Sequence, residues 1–203
     1  MIFRSCLAVI AILVAGCSDP EQYVIETSPS EVKVRAAVKR ILVRTVSLPT
    51  YAAAEEIAFQ DETGAIRANK TGLWADEPER ATTLVISRHL NQMTSSTVAP
   101  EPWPLGETPQ AVVDIRVEQF LATNRATLRL SGQYFLGGEE ESTSELTDEE
   151  LAAGKRPRRT FPSKSRLFDI QVPLPGEGLP ALAAAQSAAL RILSEKIARD
   201  LAR

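Results

Sequence analysis

A thiol, an imidazole and several carboxylates are the side chains here with reactive or ligand-binding chemistry, and their spacing decides what each can do. The 203-residue chain has two cysteines and a single histidine. Cys17 closes the run Val14-Ala15-Gly16-Cys17. Its thiol is a nucleophile, and small Ala15 and Gly16 leave the preceding bond open to a peptidase. His89 stands beside Arg88 in a stretch of helical periodicity. A general base needs positioned partners, and no Ser-His-Asp arrangement accompanies this one, so His89 reads as a packed or surface histidine. Asp76 and Glu79 are three apart ahead of an apolar run, the spacing of a capping box rather than of an acid pair. Glu139-Glu140-Glu141 lacks the spacing of a calcium loop and reads as a solvated charge run. Lys155, Arg156, Arg158 and Arg159 follow it as a salt-screened basic cluster that balances those acids. Tyr51 and Trp74 read as core plugs beside loops. With no phosphate-binding glycine loop, metal spacing or cofactor motif, the expectation is a protein without catalytic residues, cofactor or metal.

Arg4 is the only charge before the apolar run Cys6–Ala15. That run is too short to cross a membrane, which takes about 20 apolar residues. A charge, a short apolar core and small residues are the proportions of a signal peptide. With Cys17 at its end the segment resembles the bacterial lipobox. The resemblance implies that Cys17 takes a diacylglycerol group and that cleavage leaves it as the first residue, with a new amine open to a further acyl chain. Each buried methylene contributes about 0.8 kcal/mol and two lipid signals suffice for stable anchoring. Ser18 follows the cysteine. In the lipoproteins this resembles, an aspartate there retains the protein at the inner membrane, so Ser18 implies the outer membrane.

Composition narrows the rest. Apolar residues make up 44% of the chain, enough for a real core, and the net charge of −3 argues against a nucleic-acid partner. Cys6 leaves with the leader and Cys17 is acylated, so no thiol remains for a disulfide, a metal site or catalysis.

The elements follow from periodicity. Residues 1–16 are a lipoprotein signal peptide and residues 17–38 a lipidated N-terminus and periplasmic tether. Within the latter, Ser18–Pro29 is polar, with a short strand expected at Tyr23–Thr27. Residues 39–203 form one α+β domain. Its first strand is Lys39–Leu48, followed by a helical turn at Tyr51–Glu56. A small hairpin over Ile57–Gln60 and Ala65–Ala68 turns at Gly64. A helix runs from Asp76 to about Thr94 with Ile86, Leu90 and Met93 on one stripe. Ala99–Pro109, with four prolines, is a loop. Val112–Leu121 and Ala126–Leu136 alternate as an antiparallel hairpin with one wet face. The charged insertion 137–165 carries an expected helical turn at Thr147–Ala153. Leu167–Val172 is a further strand, and a long helix covers Leu179–Leu201. The sum is an antiparallel or mixed sheet with two long helices packed on one face.

The order of these motifs resembles a known family. A lipobox precedes Val46-Ser47-Leu48-Pro49-Thr50-Tyr51. Then come the paired strands, Leu73-Trp74-Ala75 leading into a helix, Val113-Asp114-Ile115-Arg116-Val117-Glu118-Gln119-Phe120, and a terminal Ala/Leu helix. This resembles the ABC-type transport auxiliary lipoproteins, the paraquat-inducible protein C family, over nearly all of the chain beyond the leader. Family members often carry Leu-Asp-Arg after the tyrosine, where this chain has Ala52-Ala53-Ala54. The resemblance implies a lipid-anchored protein on the periplasmic face of the outer membrane. Its partner would be the mammalian-cell-entry (MCE) subunit of an ABC lipid transporter, docked to support envelope integrity, with several copies assembling into a homo-oligomeric ring. The contrasting expectations are a structural or assembly lipoprotein unrelated to transport, and a lipid hydrolase with His89 as its base.

Overall fold

A computed structural model of the chain describes residues 19–138, 149, 152 and 161–202. The leader with Cys17, the acids Glu139–Glu141, the basic cluster Lys155–Arg159 and most of the turn expected at Thr147–Ala153 lie outside the described residues. In chain order the elements are β1 (Glu21–Tyr23), β2 (Arg40–Val43), α1 (Thr50–Ala53), β3 (Glu56–Gln60), β4 (Ile66–Trp74), α2 (Pro78–Met93), β5 (Thr97–Pro100), β6 (Ala111–Thr123), β7 (Thr127–Gly137), β8 (Lys164–Pro173) and α3 (Gly178–Leu201). This is the expected α+β fold: a mixed sheet of eight strands with two long helices, α2 and α3, that pack on each other.

The sheet is organised by β6, the longest strand at thirteen residues. One edge of β6 carries β7 in antiparallel register over its whole length, from Val112↔Gly137 to Thr123↔Thr127. Its other edge is divided: β2 runs parallel to its start at Ile41↔Ala111, and β3 meets its end at Phe59↔Ala122. Beyond β2 lies β5 in parallel, and beyond β3 lie β4 and then β1. Beyond β7 lies β8, antiparallel.

Alternation explains which side is dry. Val113, Ile115 and Val117 on β6 and Leu128, Leu130, Tyr134 and Leu136 on β7 are buried, as their spacing predicts. A bulge between Val117 and Gln119 inserts Glu118 and shifts the phase, so that Phe120 and Ala122 turn inward. Gly132 lies opposite the bulge at Val117. Any Cβ on it would meet the Arg116 carbonyl oxygen at 2.2 Å, which is why the strand has a glycine there. Ile86, Leu90 and Met93 from α2 and Ala185, Ala189, Leu190, Leu193 and Ile197 from α3 complete one core.

Several boundaries differ from the sequence reading. β2 is shorter than Lys39–Leu48, because the chain leaves it after Val43 and rejoins only as an isolated bridge, Ser47↔Arg116. The start of the expected proline loop is instead β5, whose Pro100 sits at the strand end, where no ladder donor is needed. The hairpin of β3 and β4 does turn at Gly64, with φ of 89°, and β4 runs on to Trp74.

Candidate functional site

The expected tether folds against the body. From Glu21 onward the chain is a strap laid over both helices. β1 joins β4 in parallel, Glu21↔Gly72 to Tyr23↔Trp74. Ile25 is buried in the core. The strap then ties alternately to the two helices. The Glu26 N–H donates to Ser187 Oγ of α3 at 3.1 Å, and the Ser28 N–H donates to His89 Nε2 of α2 at 3.1 Å. Ser30 Oγ donates to Glu195 Oε1 of α3 at 2.8 Å. The Val34 N–H reaches Met93 O, the last residue of α2, and the Ala37 N–H reaches Leu201 O, the last of α3. These two bonds satisfy carbonyls that a helix end otherwise leaves open. Polar composition suggested a free linker, but it was backbone N–H groups and serine hydroxyls that bound the strap to the helices.

His89 is the hub of this arrangement. Its ring is fully buried between strap, α2 and α3. Ser194 Oγ lies 3.3 Å from Nδ1 and already donates its proton to Leu190 O at 2.8 Å. Nε2 stands 3.1 Å from both the Ser28 N and the Ser28 O: with its hydrogen on Nδ1 the ring accepts from the N–H, and with one on Nε2 it donates to the carbonyl. Burial holds the imidazole below its ordinary pKa; the Ser28 backbone and Glu195 oppose the shift, and Arg191 adds to it. Beside it, partial burial pushes the Glu195 carboxyl up. The Ser30 hydroxyl and the cations Arg191 and Arg199 outweigh that and leave it below the usual carboxylate range. Arg191 lies 2.6 Å from Glu195. The ring of the only histidine thus joins the strap through Nε2 to α3 through Nδ1.

The other expected sites resolve as follows. Asp76 does not cap α2. It accepts from the Glu77 N–H, pairs with Arg80, and leaves Glu77 as an N-cap without a side-chain bond. Glu79 reaches away from its own helix to accept the Leu48 N–H at 3.1 Å. The capping box is therefore absent, and Pro78 at the first helical turn supplies the start instead. Trp74 is buried, as expected, and the Tyr51 hydroxyl accepts from the Phe120 N–H. The sequence reading missed Ser187 and Ser194. They stand seven residues apart on the buried face of the Ala/Leu helix, and that spacing was the available signal.

An amphipathic groove of about 350 Å³ lies where the strap meets α2, lined by Tyr23, Val24, Trp74, Leu84 and Arg88 among others. Val24 is 58% exposed there. On the opposite side of the sheet, away from the helices, the surface is charged. Asp114 lies between Arg44 and Arg116, Arg116 sits over the Phe135 ring at 5.1 Å, and Arg129 pairs with Asp169 at 2.9 Å. Exposed pairs of this kind contribute about 0–1 kcal/mol each. No group of three metal-ligating side chains occurs among the described residues.

A mixed sheet backed by two helices, with its N-terminal strap drawn over them, defines a class of small α+β domain shared by solved structures. The crystal structure of an uncharacterized protein matches with a TM-score of 0.65 at 15% identity, covering 90% of this chain and 99% of its own. Protein XCC0632 from Xanthomonas campestris, titled with the family name DUF330, matches with a TM-score of 0.57 at 15% identity, covering 89% of this chain and 93% of its own. No curated protein matches the sequence. The chain belongs to the ABC-type transport auxiliary lipoprotein component family, whose pattern covers residues 23–198.

Proposed function

We propose that this lipoprotein is a non-enzymatic docking accessory of an MCE-type ABC lipid transporter, anchored by acylated Cys17 to the periplasmic face of the outer membrane. In this reading the body meets the transporter's MCE subunit as it crosses the periplasm, several copies gather round it, and envelope integrity depends on the contact. The observation that carries the reading is family membership over residues 23–198 in a chain whose lipobox cysteine stands just ahead of the fold. Among the described residues the first strand begins at Glu21. The link from Cys17 is thus about 14 Å long when fully extended, and the anchor would hold the body near the membrane surface. The engagement of His89 in the strap supports a non-catalytic role.

Three measurements test this. Mass spectrometry of the native protein should find Cys17 as an acylated first residue. The full-length lipoprotein should co-purify with the cognate MCE subunit, and its deletion should permeabilise the outer membrane. An unmodified cysteine would refute the anchor. No co-purification together with an unchanged permeability barrier would refute the transport role.

A further inference from the structure

The strap ends in a cationic face. Residues 33–39 cross the C-terminal ends of α2 and α3, where the Val34 N–H meets Met93 O and the Ala37 N–H meets Leu201 O. Val34, Ala36 and Val38 pack inward, and Lys33, Arg35 and Lys39 are exposed between them. Glu31 is the only acid in residues 30–40. Lys33 is answered in part: its Nζ donates to Gln92 O at 2.7 Å, at the negative end of α2. Among the described residues the Arg35 and Lys39 side chains have neither a carboxylate nor a carbonyl partner. Lys33 and Arg35, two apart in extended chain, stand about 6.6 Å from each other and repel. Beside Lys39, the loop 101–110 presents Leu105, 45% exposed, over a depression of about 370 Å³ shared with Lys39, Arg40 and Thr97. That loop is held in place. The Trp103 Nε1–H donates to Glu107 O at 2.7 Å, and Arg40 donates through Nε to Thr108 O at 2.8 Å and pairs with Glu107. A leucine so fixed has little freedom left to lose on contact.

This face lies at the end of the body opposite the anchor. β1 is parallel to β4, and β4 starts beside the end of β6, through Gln60↔Ile66 and Phe59↔Ala122. The chain ahead of Glu21 therefore points toward the β6–β7 turn. Lys39 directly precedes β2, which pairs with the start of β6 at Ile41↔Ala111. The thirteen residues of β6 separate the two ends by about 40 Å. We propose that the cationic face and Leu105 together receive the MCE subunit, and that the segment they receive is acidic, its carboxylates over Arg35 and Lys39 and an apolar side chain against Leu105. The inference rests on the transport reading: a body moored through Cys17 turns this end away from its own membrane, toward a subunit arriving across the periplasm. Unpaired cations repel until opposite charge covers them. An acidic segment therefore gains attraction and on-rate here, and a basic one is turned away.

The full mature lipoprotein in detergent and the cognate MCE subunit provide the test, read as a dissociation constant at rising salt. Wild-type binding should weaken as salt screens the contact. Arg35→Glu with Lys39→Glu should weaken it at least tenfold, with unchanged thermal unfolding. Leu105→Ser should also weaken it but leave the salt dependence as in wild type. Lys70→Glu with Arg125→Glu, at the anchored end, should bind as wild type does. A wild-type protein that does not bind the subunit overturns the transport reading and this inference with it. Binding that survives the Arg35 and Lys39 reversals, or that falls equally with the reversals at the anchored end, overturns this inference alone. Should the reversed variant fold poorly, Arg35→Gln with Lys39→Gln decides: it should bind more weakly and with a shallower salt dependence than wild type, and an unchanged slope overturns the proposal.

Discussion

Acidification should loosen this protein through His89, and the sign follows from its surroundings. The imidazole lies between the Ser28 backbone at Nε2 and the Ser194 hydroxyl at Nδ1, and burial holds its pKa below the ordinary value. In the unfolded chain the ring titrates near 6.5. Between that value and the lower folded one, the unfolded state binds a proton that the folded state does not. The stabilisation by neutral His89 is therefore complete above about pH 6.5 and declines as pH falls below it, with a limiting slope of about 1.4 kcal/mol per pH unit. Arg191 pushes in the same direction, while Glu195 and the Ser28 backbone oppose it. Glu195, itself held below the carboxylate range, would begin to titrate only under more acidic conditions. Urea unfolding of wild type and His89→Gln at pH 5, 6 and 7.5 isolates the effect, since glutamine can accept the Ser28 N–H but does not titrate. Wild type should lose more stability than the variant between pH 7.5 and pH 5, and hydrogen exchange at Ser28 should quicken in parallel. Two superimposable pH profiles would refute the reasoning, because every other titrating group is common to both proteins.

Gly132→Ala should destabilise by about 3 kcal/mol in urea unfolding, because the new methyl meets the Arg116 carbonyl and the bulge cannot retreat from backbone. Tyr134→Phe should cost about 2 kcal/mol by the same assay, since the hydroxyl donates to Asp200 at 2.7 Å inside the protein. Ala126 holds a φ of 52° in the β6–β7 turn, so Ala126→Gly should raise stability by about 0.5–1 kcal/mol and lift the midpoint of thermal unfolding.

The parts of the fold legible in the sequence were those with sustained periodicity. The β6–β7 hairpin alternated plainly on both arms, and α2 and α3 carried apolar residues at helical spacing over sixteen and twenty-four residues. What escaped was held by groups that leave little trace in composition. β5 is four residues with a terminal proline, and only its parallel pairing to β2 makes it a strand. The strap is fixed through main-chain N–H groups, which every residue but proline has, so its polar sequence looked like a linker. His89 gave a partial clue: it lies on the buried stripe with Ile86, Leu90 and Met93, where a polar side chain must find partners. The capping-box spacing misled because Asp76 was drawn to Arg80 and Glu79 to the Leu48 N–H.

Drawing the strap onto the helices leaves only a few residues as a stem below Glu21. With Cys17 acylated as proposed, a body so moored could not wander through the width of the periplasm; it would skim a layer thinner than its own diameter.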